Sequence, residues 1–295
     1  MTSLTLSSDY MSSPNKIAMI PLFLVVWVSF SIMTVEQTTA FSIMTFGDLD
    51  CSPESQKTIS SALKYLGQNK VDLFIFLGDI NYKDPIVRAG SYYHCGKQFF
   101  ENVINSTELR MVRGNHENNH FWPKVTNDFN LSTKPIWYER TNQVLLIGRE
   151  SEILFQNDSN EYEQLSSLLS ENTNHKIIFI HSPVLPEVCT TNSVDTKKMC
   201  AAFDLYHPLF QKKGVDCVVQ AHIHTMAILQ KGNICYTVYG MGGAPPHDRM
   251  NDRYSDKRFE SEQYGFVIVD VEKGTHTFYA NNGKSMKFVL SSLSN

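Results

Sequence analysis

The sequence predicts an α/β domain, because short apolar runs alternate with helical patterns from residue 41 to the end of the chain. The run from Val71 to Leu77 is apolar except at one position, which is typical of a strand buried on both faces. Several of the runs end in a cluster of Gly, Asp, Asn or His. Of the 295 residues, 42% are hydrophobic and 19% are charged, as in a globular protein, and we expect a single domain over residues 41–295.

Residues 1–40 have a different character from the rest of the chain. Lys16 precedes an uncharged apolar stretch from Ile17 to Met33, and the small residue Ala40 stands at the expected cleavage position. This order predicts a secretory signal peptide over residues 1–40. The alternative is a retained membrane anchor, since the stretch is close to the length of a spanning helix, although Pro21 and the Ser and Thr residues weaken a stable span.

Glycosylation triplets support secretion. Acceptor sequences begin at Asn105, Asn130 and Asn157. We therefore expect a glycoprotein that is secreted or delivered to a lysosome or vacuole, with no stable membrane span after signal cleavage.

The cysteines predict disulfides rather than a zinc-thiolate site, because the six cysteines include no C-x-x-C pair. Cys189 and Cys200 flank a polar loop and form the expected disulfide. Cys217 lies in the apolar run from Val215 to Val219 and is predicted to be a buried thiol.

The net charge of the chain gives no support for binding to polyanionic partners. The net charge is −4 and the isoelectric point is near 6.2, so no general positive field attracts nucleic acid or an anionic membrane. Any anionic ligand of a protein with this charge needs a local source of positive potential, which metal ions can supply.

The helices are predicted from signals at their ends. Ser52 is a suitable N-cap, Pro53 suits the first helical position, and Gly67 marks the end of that helix. A capping box begins the second helix. The predicted helices are Pro53–Leu66, a helix capped by Asp158 and Glu161 that reaches Leu169, and Phe203–Lys213.

The strands are predicted from apolar runs bounded by turn residues. One of them is a hairpin that turns at Thr141 and Asn142. The predicted strands are Phe41–Phe46, Val71–Leu77, Leu109–Arg113, the hairpin Tyr138–Arg149, Lys176–Ile180, Val215–Gln220, Ile234–Tyr239, Phe266–Val271 and Thr275–Ala280.

Five of these strands end in potential metal ligands. Ligands collect at the carboxyl ends of strands in α/β sheets, so the five ends are expected to converge. Taken singly, the Gly-Asp pairs suit ordinary turns, an asparagine can cap a helix, and the two histidines of an extended His-Ile-His segment can face solvent. Together they offer carboxylate, amide and imidazole ligands suited to Fe, Zn and Mn. The expected ligands are Asp48, Asp79, Asn115, His181, His222 and His224, the last two on the same side of an extended segment.

The ordered motifs resemble those of the purple acid phosphatases in the calcineurin-like metallophosphoesterase superfamily. The resemblance covers essentially all of residues 41–295 and includes a late glycine-rich loop, and Tyr82 is the residue that separates purple enzymes from most relatives. It implies a four-layer α/β/β/α sandwich with two mixed sheets. The matching motifs are Asp48-Leu49-Asp50, Gly78-Asp79-Ile80-Asn81-Tyr82, Gly114-Asn115-His116-Glu117, Ile178-Phe179-Ile180-His181, Ala221-His222-Ile223-His224 and Tyr239-Gly240-Met241-Gly242-Gly243.

By the same resemblance, the chain is an acid phosphatase that cleaves phosphate monoesters by attack of a metal-activated hydroxide. The two metals would lie about 3.5–4 Å apart and clamp the phosphate. His116 would contact the phosphate and assist the leaving oxygen. The implied ligands are Asp48, Tyr82 and His224 for Fe(III), Asn115, His181 and His222 for a divalent ion (Fe, Zn or Mn), and Asp79 as a bridge.

Two other functions fit the same motifs. A phosphodiesterase or nucleotidase would use the same metal site. A non-enzymatic relic that binds phosphate or a partner would retain only the fold, but all seven ligand positions are filled, whereas a relic usually loses some.

The chain departs from the family pattern at two places. The first motif usually ends in glycine and here ends in Asp50, which is expected to fill a left-handed turn or to act as an extra acid near the metals. The family also has a second histidine soon after the one at His181, and here the next is His207, expected to be an ordinary helix residue. His120 and His94 are loop candidates to replace the missing group.

Overall fold

The computed structural model describes residues 41–80, 92–117, 121–141, 144–149, 159–184, 194–245 and 257–289. Within these ranges the chain forms two mixed β-sheets and five helices. No helix in the described ranges is long and apolar enough to cross a membrane. The predicted signal peptide, Tyr82, His120 and Asn157 all lie outside them.

The first sheet has six strands in the order β13-β12-β11-β1-β2-β3. Strands β1, β2 and β3 are parallel to one another, and the other three add antiparallel neighbours beside β1. The three parallel strands therefore end at the same edge. The strands are β1 (Ser42–Phe46), β2 (Leu73–Phe76), β3 (Glu108–Met111), β11 (Gly265–Asp270), β12 (Thr275–Ala280) and β13 (Ser285–Val289).

The second sheet has seven strands in the order β10-β8-β9-β7-β6-β5-β4. Its four central strands, β5, β6, β7 and β9, are parallel, and antiparallel strands flank them on both sides. The strands are β4 (Ile136–Thr141), β5 (Val144–Arg149), β6 (His175–Ile180), β7 (Cys217–Gln220), β8 (Met226–Lys231), β9 (Ile234–Tyr239) and β10 (Lys257–Ser261).

The helices cover the outer faces of the two sheets. The side chain of Ser52 accepts a hydrogen bond from the Ser55 N–H, and the N–H of Gly67 bonds back to the last turn, so the predicted ends of the first helix are confirmed. The third predicted helix is longer than expected and begins at residue 194. The helices are α1 (Pro53–Leu66), α2 (Tyr92–Ile104), α3 (Trp122–Asp128), α4 (Ser159–Leu168) and α5 (Val194–Lys213).

Alternating side chains divide the interior into three apolar layers. On β6, Ile177 and Phe179 face the other sheet, whereas Ile178 and Ile180 face the helices. The side chains of α4 and α5 pack on the second sheet, and those of α1, α2 and α3 pack on the first. The predicted four-layer α/β/β/α sandwich is therefore confirmed.

Several elements were not predicted from the sequence. The elements that were not predicted are β8, β10, β13, α2 and α3. Of these, β10 and β13 are edge strands and α3 is short, so their apolar patterns are weak. The Glu161 side chain forms an ion pair with the buried Arg149 at 3.0 Å, and its capping role stays a prediction. Its expected capping partner, Asp158, lies outside the described residues.

The cysteine predictions have separate outcomes. Cys217 is a buried free thiol, as expected, and Cys235 on the neighbouring strand is another. Cys51 and Cys200 are both disulfide-bonded. Cys189 lies outside the described residues, so its pairing with Cys200 stays a prediction.

Candidate metal centre

The carboxyl ends of β1, β2, β3, β6 and β7 meet at one edge of the sandwich. The two sheets are joined there by the N–H of Gly47, after β1, which donates to the carbonyl of Tyr239 at the end of β9 (2.8 Å). Three of the candidate ligands at this edge have left-handed backbone: Asp48 (φ 65°), Asp79 (φ 60°) and His222 (φ 66°). Such conformations are costly outside glycine and concentrate at functional sites.

The first group of ligands is formed by Asp79, Asn115, His181 and His222. The Oδ1 atom of Asn115 lies 3.0 Å from Nε2 of His181 and 2.8 Å from Nδ1 of His222. An oxygen of Asp79 lies 3.2 Å from the same His181 nitrogen. Ligand atoms of Asp79, His181 and His222 all fall within 4.8 Å of one another. One cation can therefore be reached by atoms from both sheets.

The orientation of His181 is fixed by the other sheet. Its Nδ1 atom lies 2.7 Å from the carbonyl oxygen of Leu77, which can only accept a hydrogen bond. Nδ1 therefore carries the proton, and in the neutral ring Nε2 presents a lone pair to Asp79 and Asn115. A hydrogen bond of this kind commonly holds a metal-binding histidine in the required tautomer.

The second group consists of Asp48 and His224. An Asp48 oxygen lies 3.5 Å from Nε2 of His224, and Nδ1 of His224 donates to the carbonyl of Pro245 at 2.5 Å. The other Asp48 oxygen accepts the backbone N–H of His222 at 2.9 Å. Asp48 and His224 are almost completely buried. Tyr82, the third predicted ligand here, lies outside the described residues.

The predicted extended conformation of the His222-Ile223-His224 segment is wrong. Strand β7 ends at Gln220, and the chain then bends, with left-handed backbone at His222. The N–H of Ile223 bonds to the carbonyl of Ala221, and the N–H of Thr225 bonds to the carbonyl of Ile223, both at 2.7 Å. Because of these tight turns, His222 lies with the first group of ligands and His224 lies with the second.

Asp79 contacts His116, the predicted catalytic residue, as well as the ligands. One Asp79 oxygen accepts the backbone N–H of His116 at 2.8 Å, and the other lies 3.8 Å from the His116 ring. The His116 side chain is 24% exposed, whereas that of Asp79 is 1% exposed. His116 can therefore reach a bound molecule from solvent. The bridging role of Asp79 stays a prediction, since its 3.2 Å contact with His181 places it with the first group.

Buried negative charge dominates the electrostatics of the site. Asp48, Asp79 and Glu117 are all buried. Burial raises the pKa of the Asp48 and Asp79 carboxyls, but the neighbouring histidines outweigh it and the net shift of each pKa is downward. Burial and then the Asp79 charge raise the pKa of Glu117 to about 7.

The pKa values of His181 and His222 are shifted in opposite directions. Burial lowers the pKa of His181, but the Asp79 charge and hydrogen bond outweigh it and raise that pKa to about 10. Burial and the adjacent His181 charge lower the pKa of His222 to about 4. Without a metal the cluster thus holds a proton on His181, at the position where the surrounding acceptors favour a cation.

The residues present fit a metal centre. The Nε2 atom of His181 lies 3.0 Å from Oδ1 of Asn115, 3.2 Å from an Asp79 oxygen and 3.3 Å from Nδ1 of His222. The two oxygens accept hydrogen bonds, and each ring nitrogen can bind a cation through its lone pair. Such an arrangement is unfavourable unless a proton or a metal lies among the acceptors. The donor set, carboxylate with imidazole and amide oxygen, suits Fe, Zn or Mn.

Glu117 is a site residue that the sequence reasoning did not assign. Its carboxylate accepts backbone N–H groups from Asp79 (2.8 Å), Ile80 (2.7 Å) and Gly114 (2.9 Å). The available signal was its place at the end of the Gly114-Asn115-His116-Glu117 motif, where an acid two residues after a ligand can reach the same loop.

The first departure from the family pattern, Asp50, does not have left-handed backbone. The neighbouring Cys51 does (φ 66°), so that prediction is wrong. The Asp50 carboxylate instead accepts hydrogen bonds from the Ser55 hydroxyl (2.6 Å) and the Ser52 N–H (2.9 Å), at the start of α1.

His207 is the helix residue that was expected. It lies in α5, stacks on Phe203, and contacts the Tyr236 hydroxyl at 2.7 Å, away from the strand ends. The side chain of His94 and the residue His120 lie outside what the structure describes.

Comparison with known proteins supports the fold. A model of the calcineurin-like phosphoesterase family matches residues 41–226. GAP50, described as the anchor in the inner membrane complex of Plasmodium, is 12% identical, with a TM-score of 0.65 over 85% of this chain and 89% of its own. A purple acid phosphatase, PPD1, from yellow lupin (Lupinus luteus) seeds is 17% identical, with a TM-score of 0.67 over 85% of this chain and 54% of its own.

A dimetal phosphatase from Danio rerio is 13% identical, with a TM-score of 0.55 over 85% of this chain and 99% of its own. No curated protein sequence gives a significant match. At these identities the similarity to solved structures describes the fold, and this chain spans about half the length of the lupin enzyme.

Proposed function

Because this chain belongs to the calcineurin-like phosphoesterase family, we propose that it is a metal-dependent hydrolase of phosphate monoesters, of the purple acid phosphatase type. The observation that carries the proposal is the acceptor cluster at the strand ends. Asn115 lies 3.0 Å from His181 and 2.8 Å from His222, and both sheets contribute to it. Asp79 and His181 in this cluster are buried, and a structural role alone does not explain why an amide oxygen and a second imidazole gather around them.

The proposed ligand sets follow the two groups. Asn115, His181 and His222 would hold the divalent ion, which is Fe, Zn or Mn, and Asp48, Tyr82 and His224 would hold Fe(III), with Asp79 between them. The position of Tyr82, three residues after Asp79 in the sequence, is the support for the ferric ion.

Two features of the chain prepare the site for metals and substrate. Leu77 and Pro245 accept the Nδ1 protons of His181 and His224, which leaves both Nε2 atoms available to metals. The partly exposed side of the centre carries His116, placed to donate a hydrogen bond to the leaving oxygen of a bound ester. When bound, the two metals would neutralise phosphate charge and lower the pKa of water in the site.

We also propose that the protein is secreted or delivered to a lysosome or vacuole. Asn105 and Asn130, which begin two acceptor triplets, are exposed. Cys51 and Cys200 are disulfide-bonded, as is common in proteins from oxidising compartments. Treatment of protein expressed in a eukaryotic host with an endoglycosidase tests this: a mass decrease that is absent in an Asn105→Gln, Asn130→Gln, Asn157→Gln variant supports it.

The proposed activity is tested by metal quantification, a visible spectrum and an assay on a phosphate monoester with the purified protein. Two metals per chain, one of them iron, with monoesterase activity that a chelator abolishes, support the proposal. Metal binding with activity on diesters alone would instead select the phosphodiesterase alternative. A protein that binds phosphate but no metal would be the non-enzymatic relic.

A further inference from the structure

Glu117 is completely buried, and its carboxylate is surrounded by backbone N–H groups. One oxygen accepts from Asp79 (2.8 Å) and Gly114 (2.9 Å), and the other accepts from Ile80 (2.7 Å). Placing a carboxylate in the interior is unfavourable unless several donors satisfy it. Three donors at these distances meet that requirement.

The three donors belong to two different loops. Asp79 and Ile80 follow β2, and Gly114 follows β3. Asp79 has left-handed backbone (φ 60°) and Ile80 does not, and the successive N–H groups of these two residues point to a common anion. Glu117 supplies that anion. Its own main chain is held in turn, because the Nε of Arg113 donates to the Glu117 carbonyl at 2.6 Å.

The contact between the two loops also affects the positions of the candidate ligands. Gly114 approaches Asp79 so closely that a Cβ at residue 114 would lie 2.1 Å from the Asp79 oxygen. That same oxygen accepts the His116 N–H at 2.8 Å. The direction of the Asp79 carboxylate, and the positions of Asn115 and His116, therefore depend on how the two loops are held together.

We infer that Glu117 is a positioning residue that sets the metal affinity of the centre by locking the Asp79 loop to the Asn115 loop. This inference rests on the proposed function, since it concerns the same centre. The carboxylate of Glu117 bonds to the backbone of residues 79, 80 and 114, so it acts through the loops that carry the ligands.

A carboxylate is required because each of its oxygens accepts hydrogen bonds. Glutamine has almost the same shape but only one acceptor oxygen, and its NH₂ group would face a backbone N–H donor. Whichever way the amide is turned, at least one of the three bonds is replaced by a donor–donor contact. The loops are then no longer held in one arrangement.

The test compares metal affinity in wild type, Glu117→Gln and Glu161→Gln, by calorimetric titration of the metal-free proteins with Zn²⁺. Glu161 is a matched control, because it is also a buried acid but pairs with Arg149 on the helix side of the second sheet. We expect Glu117→Gln to weaken Zn²⁺ binding by roughly 10–100-fold, as for other groups behind metal ligands. Glu161→Gln should lower the melting temperature but keep wild-type affinity.

The results of this test distinguish a failure of the proposed function from a failure of the inference about Glu117. Wild type that binds no metal overturns the proposed function. Wild type that binds Zn²⁺ with an affinity equal to that of folded Glu117→Gln overturns the inference alone. If Glu117→Gln does not fold, amide hydrogen exchange of metal-free wild type decides: slow exchange at Asp79, Ile80 and Gly114 supports the inference, and fast exchange at these three amides overturns it.

Discussion

The Nδ1 atom of His181, after β6, lies 2.7 Å from the carbonyl oxygen of Leu77, after β2. This contact joins the two sheets at the candidate metal centre and fixes which nitrogen of His181 faces the other ligands. The consequences for metal binding, catalysis and substrate preference can each be measured.

Metal binding should release a proton from His181. Its pKa is raised to about 10 in the metal-free protein, because the Asp79 charge and hydrogen bond outweigh burial, so the ring is protonated near neutral pH. A metal must displace this proton, and the apparent affinity should rise by roughly tenfold per pH unit for each proton displaced. Titrations from about pH 6 to about pH 8 in two buffers with different ionisation enthalpies measure both quantities.

The control for that experiment is His175→Gln. His175 lies at the opposite end of β6, near Asp216, so the variant should keep the pH dependence of wild type. The direction of the pH dependence follows from the raised pKa of His181. A group whose pKa is raised in the folded state stabilises the metal-free fold at pH values below its ordinary pKa, and this stabilisation is lost as pH rises through about 10. The metal-free protein therefore competes less well with the metal-bound protein as pH rises. Affinity that falls as pH rises would contradict the assignment.

Substitution of Asp79 and substitution of His116 should have different effects on metal content and activity. Asp79→Ala should lose metal and nearly all activity, because the buried carboxylate lies 3.2 Å from His181 and is proposed to bridge both metals. His116→Ala should retain the metals and lose about 10²–10⁴-fold in kcat, as for other acid–base and electrostatic groups. Metal content and steady-state kinetics of both variants check this. Loss of metal in His116→Ala would show that it is needed to hold the ligands.

Tyr82 should give the protein colour if it binds ferric iron. We expect a visible tyrosinate-to-iron charge-transfer band in wild type that is absent in Tyr82→Phe. The exposed Tyr138, on an edge strand, provides the control, and Tyr138→Phe should keep the band. A colourless, iron-free wild type with full activity would place the protein among phosphoesterases with two divalent metals.

Gly114 should not tolerate a side chain. A Cβ there would lie 2.1 Å from the Asp79 oxygen and 2.5 Å from the Asp79 nitrogen, so the loop must shift. We expect Gly114→Ala to destabilise the fold by about 1–3 kcal/mol and to weaken metal binding. Gly67→Ala is the control, because its Cβ would meet the closest atom at 3.5 Å, an ordinary contact. Denaturant unfolding and metal titration distinguish the two variants.

The missing histidine after His181 should appear as a substrate preference. Of the described residues that follow His181, Ser182 is 4% exposed and Val184 is 0% exposed, and the Val184 N–H donates to Gln220 at 2.5 Å. With one proposed donor fewer, stabilisation of the leaving oxygen depends on His116. We expect higher kcat/KM for aryl esters and anhydrides than for alkyl phosphates, since nitrophenolate leaves with little help.

The comparison is made with an aryl and an alkyl phosphate, in wild type and in His120→Ala. Equal kcat/KM values on both esters in both proteins would show that no donor is missing. A selective loss on the alkyl ester in His120→Ala would identify His120 as the replacement.

The local pattern of the sequence determined the fold class and the strand ends at which the candidate ligands lie. A strand buried on both faces must be apolar at nearly every position, and the chain must become polar where it leaves the sheet, so runs such as Val71–Leu77 and the residues after them are readable without a structure. The signals at the ends of α1, from Ser52 to Gly67, are equally local and were also predicted correctly.

Only the tertiary structure decided how the ligands are grouped and held. The turn that separates His222 from His224 depends on the Asp48 oxygen that accepts the His222 N–H, 174 residues away along the chain. The tautomer of His181 depends on Leu77, 104 residues away, and the role of Glu117 depends on amides 37 and 38 residues away. A sequence pattern reports neighbours along a helix or strand, whereas these contacts exist only after the two sheets have packed against each other.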